Sequence, residues 1–385
     1  MTGATARRRL HEAAVVSRAL VRAQRRRRHE PPGPGRDALG TLQRLVPAAA
    51  VSESRRLDVP GDRPSWLDSG VALRAGDAVT TFATGSLDLV APLDLRAEPA
   101  TQLWFRVGPS GPVFRGTRAT HSFAAPAAGP LELASGLPGE WARRNGMRAA
   151  PARGTPRPKG TLSALLVRWA PGADPDAALG ETAASDPDGL AAAELRRRAT
   201  AVPEPEGWRH LWSIGASAIF DGTRGGIACA THADVGILQR DVDAPLTDAT
   251  RLRWSWRVDE LPSALAEDTL PTHDYLSIAL EFDNGQDLTW HWSAELAPGY
   301  AYRCPIPSWK ARETHLVIRS GCADLGRWLT EERAVRRDYA AAVGPPPGRI
   351  VRVWLIAVST FQRGHGSAAF DGIELRDGER VERLV

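Results

Sequence analysis

Residues 251–259 read RLRWSWRVD and residues 288–295 read LTWHWSAE, so each stretch contains a Trp-x-Trp pair. Residues two apart in a β-strand point to the same face, so each pair places two indoles side by side. Leu252 and Val258 share the parity of the first pair, and Leu288 shares that of the second. The alternation predicts two half-buried strands of a β-sandwich with the indoles in its core. An open aromatic platform for sugar rings is the alternative interpretation.

The residues of opposite parity are unusually polar, and we predict that they form a binding surface. Arginine, carboxylate, imidazole and phenol groups together suit sugar hydroxyls or an anionic group. The alternative is an ordinary solvated sheet face. The predicted binding residues are Arg253, Arg257, Tyr275, Glu281, His291 and Glu295.

Charge is unevenly distributed along the 385 residues. Residues 1–56 contain thirteen arginines against four acidic residues, a net charge of +9, and the remainder is mildly acidic because the whole chain carries +4. Residues 6–29 are predicted to form a basic helix on a short arm, with Leu10, Ala14, Ser17, Leu20 and Val21 on its apolar face. We expect this arm to be a separable tail that docks on an anionic surface or on a protein partner.

The distribution of turn residues predicts four segments. Residues 1–56 form the arm, 57–175 a first β-sandwich, 176–205 a linker and 206–378 a second β-sandwich. The fold class is therefore all-β, with two sandwich domains of jelly-roll or galactose-binding type. A helix capped by Thr330 is predicted to interrupt the second domain.

The cysteines and the lengths of the apolar runs indicate the cellular compartment of the protein. The three cysteines show no Cys-x-x-Cys spacing and one must stay unpaired, so a secreted disulfide scaffold is disfavoured. Apolar runs long enough for a membrane span are absent from the sequence, and arginines interrupt the only candidate signal peptide. We expect a cytoplasmic protein without a transmembrane segment.

Residues 60–148 contain a series of ordered landmarks, namely Trp66, the stretch 76–79 (GDAV), the stretch 103–108 (LWFRVG), the Gly129-x-Leu131 strand and Trp141. With these landmarks the segment resembles the small bacterial galactophilic lectins of the PA-I type. The resemblance implies a β-sandwich that binds galactosides through calcium. The corresponding loop, residues 135–146, contains Arg143 and Arg144, so we predict that this domain binds no calcium.

A second resemblance covers residues 252–375, which resemble a bacterial family numbered 3047 in the domain-of-unknown-function series. The landmarks that match in order are Trp254-x-Trp256, Asp274-Tyr275, Glu281-Phe282, Trp290-x-Trp292, His315, Asp338-Tyr339 and Phe370-Asp371-Gly372. This resemblance implies a jelly-roll sandwich related to carbohydrate-binding modules, without an established activity.

Signatures of nucleophilic, zinc-protease and nucleotide chemistry are absent from the sequence, so we assign no catalytic residue. His273, Asp283 and His291 are the one metal trio considered, and their spacing is unspecific, so we assign no metal ligand and no cofactor. Asp371 is a candidate for a structural calcium ion, with turn capping as the alternative.

These observations favour a non-catalytic binding protein that recognises a carbohydrate or another polar polymer through a sheet face. The first alternative is an interaction or assembly scaffold that docks through its basic arm. The second is a carbohydrate-active hydrolase.

Overall fold

The structure is a computed structural model, and its description covers most of the chain. The described residues are 3–29, 34–35, 37–63, 65–90, 95–116, 118–136, 141, 145–148, 158–212, 217–223 and 225–385. They divide into two units. The N-terminal unit comprises residues 29–201 and 212–217, and the C-terminal unit comprises residues 1–28, 202–211 and 218–385.

The described residues contain six α-helices. They are α1 (Gly3–His29), α2 (Ala38–Leu45), α3 (Pro99–Gln102), α4 (Pro175–Ala183), α5 (Leu190–Thr200) and α6 (Val335–Ala342). None of these described helices has the length and apolar character that crossing a membrane requires.

The N-terminal unit is a β-sandwich of a five-stranded and a three-stranded sheet. Its strands are β1 (Val51–Pro60), β2 (Leu67–Leu73), β3 (Ala78–Val90), β4 (Leu95–Ala97), β5 (Leu103–Val107), β6 (Thr120–Ala124), β7 (Gly129–Ser135) and β8 (Lys159–Trp169). The larger sheet has the order β1-β8-β3-β4 with β6 beside β3, and the smaller one has the order β2-β7-β5. Alternate residues of both sheets, such as Val79, Phe105, Leu131 and Leu166, form the core between them.

The C-terminal unit is a second, larger β-sandwich. Its strands are β9 (Arg209–His210), β10 (Phe220–Asp221), β11 (Ile227–His232), β12 (Val235–Pro245), β13 (Arg251–Glu260), β14 (Tyr275–Phe282), β15 (Asp287–Ser293), β16 (Ala301–Arg303), β17 (Glu313–Ser320), β18 (Leu329–Ala334), β19 (Arg349–Val358), β20 (His365–Asp377) and β21 (Arg380–Arg383). A six-stranded sheet has the order β10-β11-β20-β13-β18 with β21 beside β20. A seven-stranded sheet has the order β16-β17-β15-β14-β19-β12-β9.

The four tryptophans of the two Trp-x-Trp pairs lie in the core between these two sheets, as predicted. Trp254, Trp256 and Trp290 are 0% exposed and Trp292 is 1% exposed. Ring centroids are 6.3 Å apart for Trp254 and Trp290 and 5.6 Å apart for Trp256 and Trp292, so the pairs meet across the sandwich. The all-β fold class with two sandwiches is therefore confirmed, and the aromatic-platform interpretation of these indoles is wrong.

Residues expected to form an arm and a linker are instead folded against the N-terminal sandwich. Helices α2, α4 and α5 cover the outer face of the five-stranded sheet, where Leu42, Leu179 and Ala191 pack with Phe82 and Leu165. An isolated sandwich of residues 57–175 would leave this apolar face exposed. The structural boundaries therefore differ from the predicted ones at both ends of this unit.

Helix α1 packs on the C-terminal unit and is not a free tail. Val15 is 1% exposed and Ala19 is 9% exposed, and both pack with Leu296, Tyr302 and Val317. The apolar face differs from the predicted one, because Leu10 is 72% exposed. The predicted apolar face of α1 was wrong because an alanine-rich helix has only a weak apolar stripe.

The helix predicted to begin at Glu331, after Thr330, begins four residues later, at Val335. Residues 329–334 form β18, which pairs antiparallel with β13, and this pairing with the sheet outweighs the local helix propensity. The body of α6 buries Val335 and Tyr339 against the core of the sandwich, as expected for an amphipathic helix.

Candidate binding face and buried histidine cluster

The six predicted binding residues do not share one surface. Arg253 and Arg257 lie on β13, in the six-stranded sheet, whereas Tyr275, Glu281 and His291 lie on β14 and β15, in the seven-stranded sheet. On each of these strands the predicted binding residues point away from the core, as predicted, because the residues that alternate with them form the core. The two sheets face each other through that core, so their polar faces lie on opposite sides of the sandwich.

Two of the predicted carboxylates are already engaged by arginines. Glu281 accepts a hydrogen bond of 2.7 Å from Arg352 and lies 3.5 Å from Arg312. Glu295 follows β15 and forms a 2.6 Å ion pair with Arg18 of helix α1, which holds the pKa of this carboxyl below its usual value. Both side chains therefore serve contacts within the C-terminal unit.

His291 and Tyr275 are buried and not part of an open groove. His291 is 0% exposed, and its Nε2 lies 3.3 Å from the hydroxyl of Tyr302. Burial lowers the pKa of His291 well below its usual value and raises that of Tyr275 well above it, so both side chains are neutral. The outer face of the seven-stranded sheet is thus a buried polar layer at this end.

This buried layer contains a cluster of four side chains that carry metal-binding atoms, here called the His273 cluster. Its members are His273, Cys304, Glu313 and His315, and their ligand atoms all lie within 4.8 Å of one another. All four side chains are buried, with His273, Cys304 and His315 at 0% exposure and Glu313 at 3%.

Three separate segments supply the cluster. His273 follows a 3₁₀ turn (Leu270–Thr272) that leads into β14, and Cys304 directly follows β16. Glu313 and His315 lie two apart on β17 and therefore point to the same face. Antiparallel pairing of β16 with β17 brings Cys304 beside them.

Hydrogen bonds orient the side chains of the His273 cluster. The Nδ1 of His273 lies 2.7 Å from the backbone oxygen of Glu267, and its Nε2 lies 3.3 Å from the sulfur of Cys304. Glu313 Oε1 accepts hydrogen bonds from Thr289, at 3.1 Å, and from Tyr275, at 3.3 Å. His315 is placed by the ring of Tyr302, which stacks on it, and its Nε2 lies 3.4 Å from Oε1 of Glu313.

Burial dominates the protonation of the cluster. It lowers the pKa of His273 to about 3, so this imidazole is neutral, and it raises the pKa of the Cys304 thiol well above its usual value. Burial opposes ionisation of Glu313 as well, but the adjacent His315 outweighs it and the pKa falls to about 2. The cluster thus combines an ionised carboxylate with a neutral thiol and a neutral imidazole.

The three residues that the sequence offered as a metal trio do not meet in one cluster of the described residues. His273 belongs to the cluster, whereas Asp283 and His291 do not. Sequence reasoning missed Cys304, Glu313 and His315, although the Glu313-x-His315 spacing on an alternating strand was a usable signal.

Asp371 is exposed, and its Oδ1 accepts a 2.7 Å hydrogen bond from the backbone nitrogen of Gly372. The loop residues Arg143 and Arg144 lie outside the described residues.

The outer face of the six-stranded sheet is accessible and carries an exposed aromatic side chain. Trp328 is 50% exposed, and the guanidinium carbon of Arg257 lies 5.7 Å from its ring centroid. Arg257 in turn forms a 2.9 Å ion pair with Asp259, and the side chains of these two residues are 39% and 40% exposed. This surface, with Arg253, Ser255 and Thr330 further along the strands, is here called the Trp328 face.

Part of the chain matches a known protein family. Residues 217–374 match the model of DUF3047, a protein family of unknown function. The C-terminal sandwich is therefore similar to the DUF3047 family. This match confirms the resemblance that the Trp-x-Trp pairs and the later landmarks carry. No match was found among curated proteins.

Several solved structures are similar to this chain. The N-terminal domain of EclA, a PllA-like lectin, is 18% identical with a TM-score of 0.23, over 30% of this chain and 95% of that chain. The xyloglucanase domain of NopAA from Sinorhizobium fredii, in complex with cellobiose, is 10% identical with a TM-score of 0.29, over 46% and 94%. The tandem CBM22 domains of Xyn10C from Paenibacillus barcinonensis are 11% identical with a TM-score of 0.23, over 86% and 93%.

Proposed function

We propose that this protein is a non-catalytic binding protein that recognises a carbohydrate, or a similar hydroxyl-rich polymer, on the Trp328 face. The observation that carries the proposal is the exposure of Trp328. It is the one tryptophan in the described part of the chain that is exposed, at 50%. An indole left in water costs hydrophobic free energy, and a stacked sugar ring would recover it.

The polar groups around Trp328 match the hydrogen-bonding needs of sugar hydroxyls. A hydroxyl both donates and accepts, and the Arg257–Asp259 pair offers guanidinium donors beside a carboxylate acceptor. Charged partners make the stronger hydrogen bonds. Because both side chains are partly exposed, a ligand would reach them without unfolding the sheet.

The neighbouring strands extend this surface with small hydroxyl groups. The hydroxyls of Ser255 and Thr330 lie 2.8 Å apart on paired strands. Arg253 lies two residues before Ser255 and 3.8 Å from Glu374. The Trp328 face therefore presents one aromatic ring followed by a row of polar groups, which suits an extended polar chain more than a small apolar ligand.

The proposal is tested by screening the full chain on a glycan array and titrating the best-binding glycan by calorimetry. Trp328→Ala should weaken binding at least tenfold, since truncating a central aromatic anchor costs about 2 kcal/mol or more. Tyr300→Ala is the matched control, because Tyr300 is also aromatic, is 37% exposed and directly precedes β16, the edge strand of the other sheet. Absence of binding to any glycan, or equal losses in both variants, would contradict the proposal.

A second candidate function rests on the outward side of helix α1. Although one side of α1 packs on the C-terminal unit, several of its arginines are exposed, namely Arg7, Arg9, Arg22, Arg25 and Arg28. This exposed positive charge suits docking on an acidic surface or an acidic protein partner. Binding of the full chain to anionic vesicles that disappears at high salt, and in the Arg22→Glu/Arg25→Glu variant, would support the assembly interpretation.

A further inference from the structure

The His273 cluster brings together an unusual set of side chains for a buried location. Two imidazoles, a thiol and a carboxylate meet within 4.8 Å. Buried polar groups in proteins are normally satisfied by hydrogen bonds, and buried ionised groups are normally paired or coordinate metals. Four metal-binding side chains from three segments that meet in the interior therefore point to one shared binding partner.

We propose that His273, Cys304, Glu313 and His315 bind a single Zn²⁺ ion. Zinc prefers four ligands in tetrahedral arrangement and takes nitrogen, sulfur and carboxylate oxygen donors, which are the three donor types present. The proposal concerns a site separate from the Trp328 face and does not depend on carbohydrate binding.

Two of the distances within the cluster match the edges of a zinc tetrahedron, and all of them are below 4.8 Å. Zinc–ligand bonds of about 2.0–2.3 Å place neighbouring ligand atoms about 3.3–3.8 Å apart. The Nε2 of His273 lies 3.3 Å from the sulfur of Cys304, and the Nε2 of His315 lies 3.4 Å from Oε1 of Glu313. Small rotations of these side chains would place an ion between the two pairs.

The hydrogen bond of His273 fixes the tautomer that a metal ligand needs. When Nδ1 carries the proton and donates it to the backbone oxygen of Glu267, 2.7 Å away, Nε2 presents a free lone pair toward Cys304. Metal-binding histidines usually make this second hydrogen bond. The hydroxyls of Thr289 and Tyr275 both donate to Oε1 of Glu313 and so orient this carboxylate.

His315 supplies an independent indication of a ligand. It is 0% exposed, and neither ring nitrogen makes a hydrogen bond of normal geometry in the described structure, the nearest polar contact being the 3.4 Å between Nε2 and Oε1 of Glu313. The flat face of its ring stacks on Tyr302, with ring centroids 5.0 Å apart and an angle of 12° between the planes, so the ring is held in place by packing. A zinc ion coordinated to Nε2 would satisfy this buried nitrogen, as buried polar atoms in proteins normally are.

Charge balance also favours a divalent cation. On binding, the Cys304 thiol loses a proton to solvent and becomes a thiolate, Glu313 binds as a carboxylate, and both imidazoles bind as neutral bases. Two negative ligands and Zn²⁺ give a site without net charge, which suits a buried environment. The displaced thiol proton and the metal ion are the only species exchanged, and no oxidation or reduction takes place.

All four coordination positions come from the protein, so the site is closed in the manner of structural zinc sites. The ion would join the turn before β14, the segment after β16, and β17 itself. Zinc binding would therefore stabilise this end of the C-terminal sandwich.

The first test uses the full chain without modification. Zinc is removed with a chelator, and Zn²⁺ and then Co²⁺ are titrated back while metal content and absorption are measured. We expect one equivalent of zinc per chain and a thiolate-to-cobalt charge-transfer band that Zn²⁺ abolishes. We also expect a higher Tm for the zinc-bound chain than for the chelated chain.

The cysteines provide matched controls for the second test. Cys304→Ser should abolish the charge-transfer band and weaken zinc binding by at least about tenfold, the smallest loss seen when even an outer partner of a metal ligand is removed. Cys322→Ser, at an exposed free cysteine, should leave both unchanged, and so should Cys229→Ala, at a buried cysteine outside the cluster. His315→Gln should also weaken zinc binding by at least about tenfold, although the Cys304 thiol that gives the band is kept.

Three outcomes would overturn the proposal. One is a full chain that takes up no stoichiometric zinc or cobalt. Another is a cobalt complex without the thiolate band, which would place the metal elsewhere, for example at the stacked pair His232 and His365. The third is retention of zinc by Cys304→Ser and His315→Gln. If both variants fail to fold, the unmodified chain still decides through its cobalt spectrum.

Discussion

At the scale of single residues, the same side chain has opposite roles in different positions. Trp254 and Trp290 are buried in the core between the two sheets of the C-terminal unit, whereas Trp328 lies in the loop before β18 and is exposed. The core indoles contribute stability, and the exposed one offers a contact surface. The two groups should therefore respond differently to truncation.

Trp254→Ala should lower the free energy of unfolding of the C-terminal unit by about 3–5 kcal/mol, because it leaves a cavity among buried rings. The ring of Trp254 lies 5.9 Å from that of Trp256 and 6.3 Å from that of Trp290. Denaturant unfolding followed by circular dichroism measures the change. Trp328→Ala, as control, should stay within about 0.5 kcal/mol of the natural chain.

A buried ion pair in helix α5 makes the N-terminal unit sensitive to acid. Glu194 is 0% exposed and accepts hydrogen bonds of 2.8 and 2.7 Å from Arg197. Burial raises the pKa of Glu194, but Arg197 outweighs this effect, so the pKa lies below its ordinary value of 4.5. The native state thus favours the ionised form, and the stability from this pair is lost as pH falls below about 4.5.

Glu194→Gln should cost about 3 kcal/mol at neutral pH, because it leaves the guanidinium buried without its counter-charge. The difference from the natural chain should shrink as pH is lowered from 4.5 through the folded pKa of Glu194. Thermal unfolding between pH 3 and pH 8 measures both. Glu12→Gln, which removes an exposed i,i+4 pair with Arg8, should change stability by less than about 0.5 kcal/mol at any pH. A constant difference across this range would contradict the assignment.

At the scale of elements, helix α1 is the one whose role changes most between sequence and structure. Its sequence has many arginines and a weak apolar stripe, which is typical of a solvated tail. The structure buries Val15 and Ala19 against the C-terminal unit, and adds the Arg18–Glu295 ion pair and a 3.1 Å contact between His11 and Asp268. Two small apolar residues are therefore enough to specify the docked face.

Val15→Asp should detach or destabilise helix α1, since an unpaired carboxylate would be buried at a position that is 1% exposed. We expect a fall of several degrees in Tm and faster hydrogen exchange in residues 3–29. Leu10→Asp introduces the same charge on the same helix at a position that is 72% exposed, and it should leave both measurements unchanged. If the two variants had the same Tm and the same hydrogen exchange, α1 would be a solvated tail, as the sequence predicted.

At the scale of the whole molecule, each unit is built from segments that are not continuous in the chain. The C-terminal unit contains residues 1–28 and then resumes at residue 202, with residues 29–201 folded as the other unit between them. The N-terminal unit also takes residues 212–217, and the ring of Trp212 lies 5.4 Å from that of Trp104. Boundaries placed by composition alone therefore cut through both units.

A fragment of residues 29–217 should fold cooperatively, whereas residues 57–175 should not. The shorter fragment loses helices α2 and α5, which cover Phe82, Leu165 and Val167 on the five-stranded sheet. Exposing this apolar face should produce aggregation or a broad thermal transition. Near-ultraviolet circular dichroism and thermal melts compare the two fragments, and a sharp melt of residues 57–175 would contradict the structural boundaries.

Alternation along each strand was readable from the sequence because a side chain's parity is a local property of the extended backbone. The prediction therefore placed Leu252, Trp254 and Trp256 on the core side, together with Leu288 and Trp290. It could not say which sheet each strand joins. Arg253 and His291 have matching parity and lie on different sheets, so the predicted six-residue surface does not exist as one face.

The amino-acid sequence by itself determined the all-β class, the inward-facing residues of the main strands and the DUF3047 resemblance of residues 252–375, because all three depend on short-range spacing or on ordered landmarks. Only the tertiary structure decided the partners of helix α1 and the meeting of His273, Cys304, Glu313 and His315. Strand order and loop paths bring together residues that are far apart in the chain, and no local pattern records which distant segments will meet.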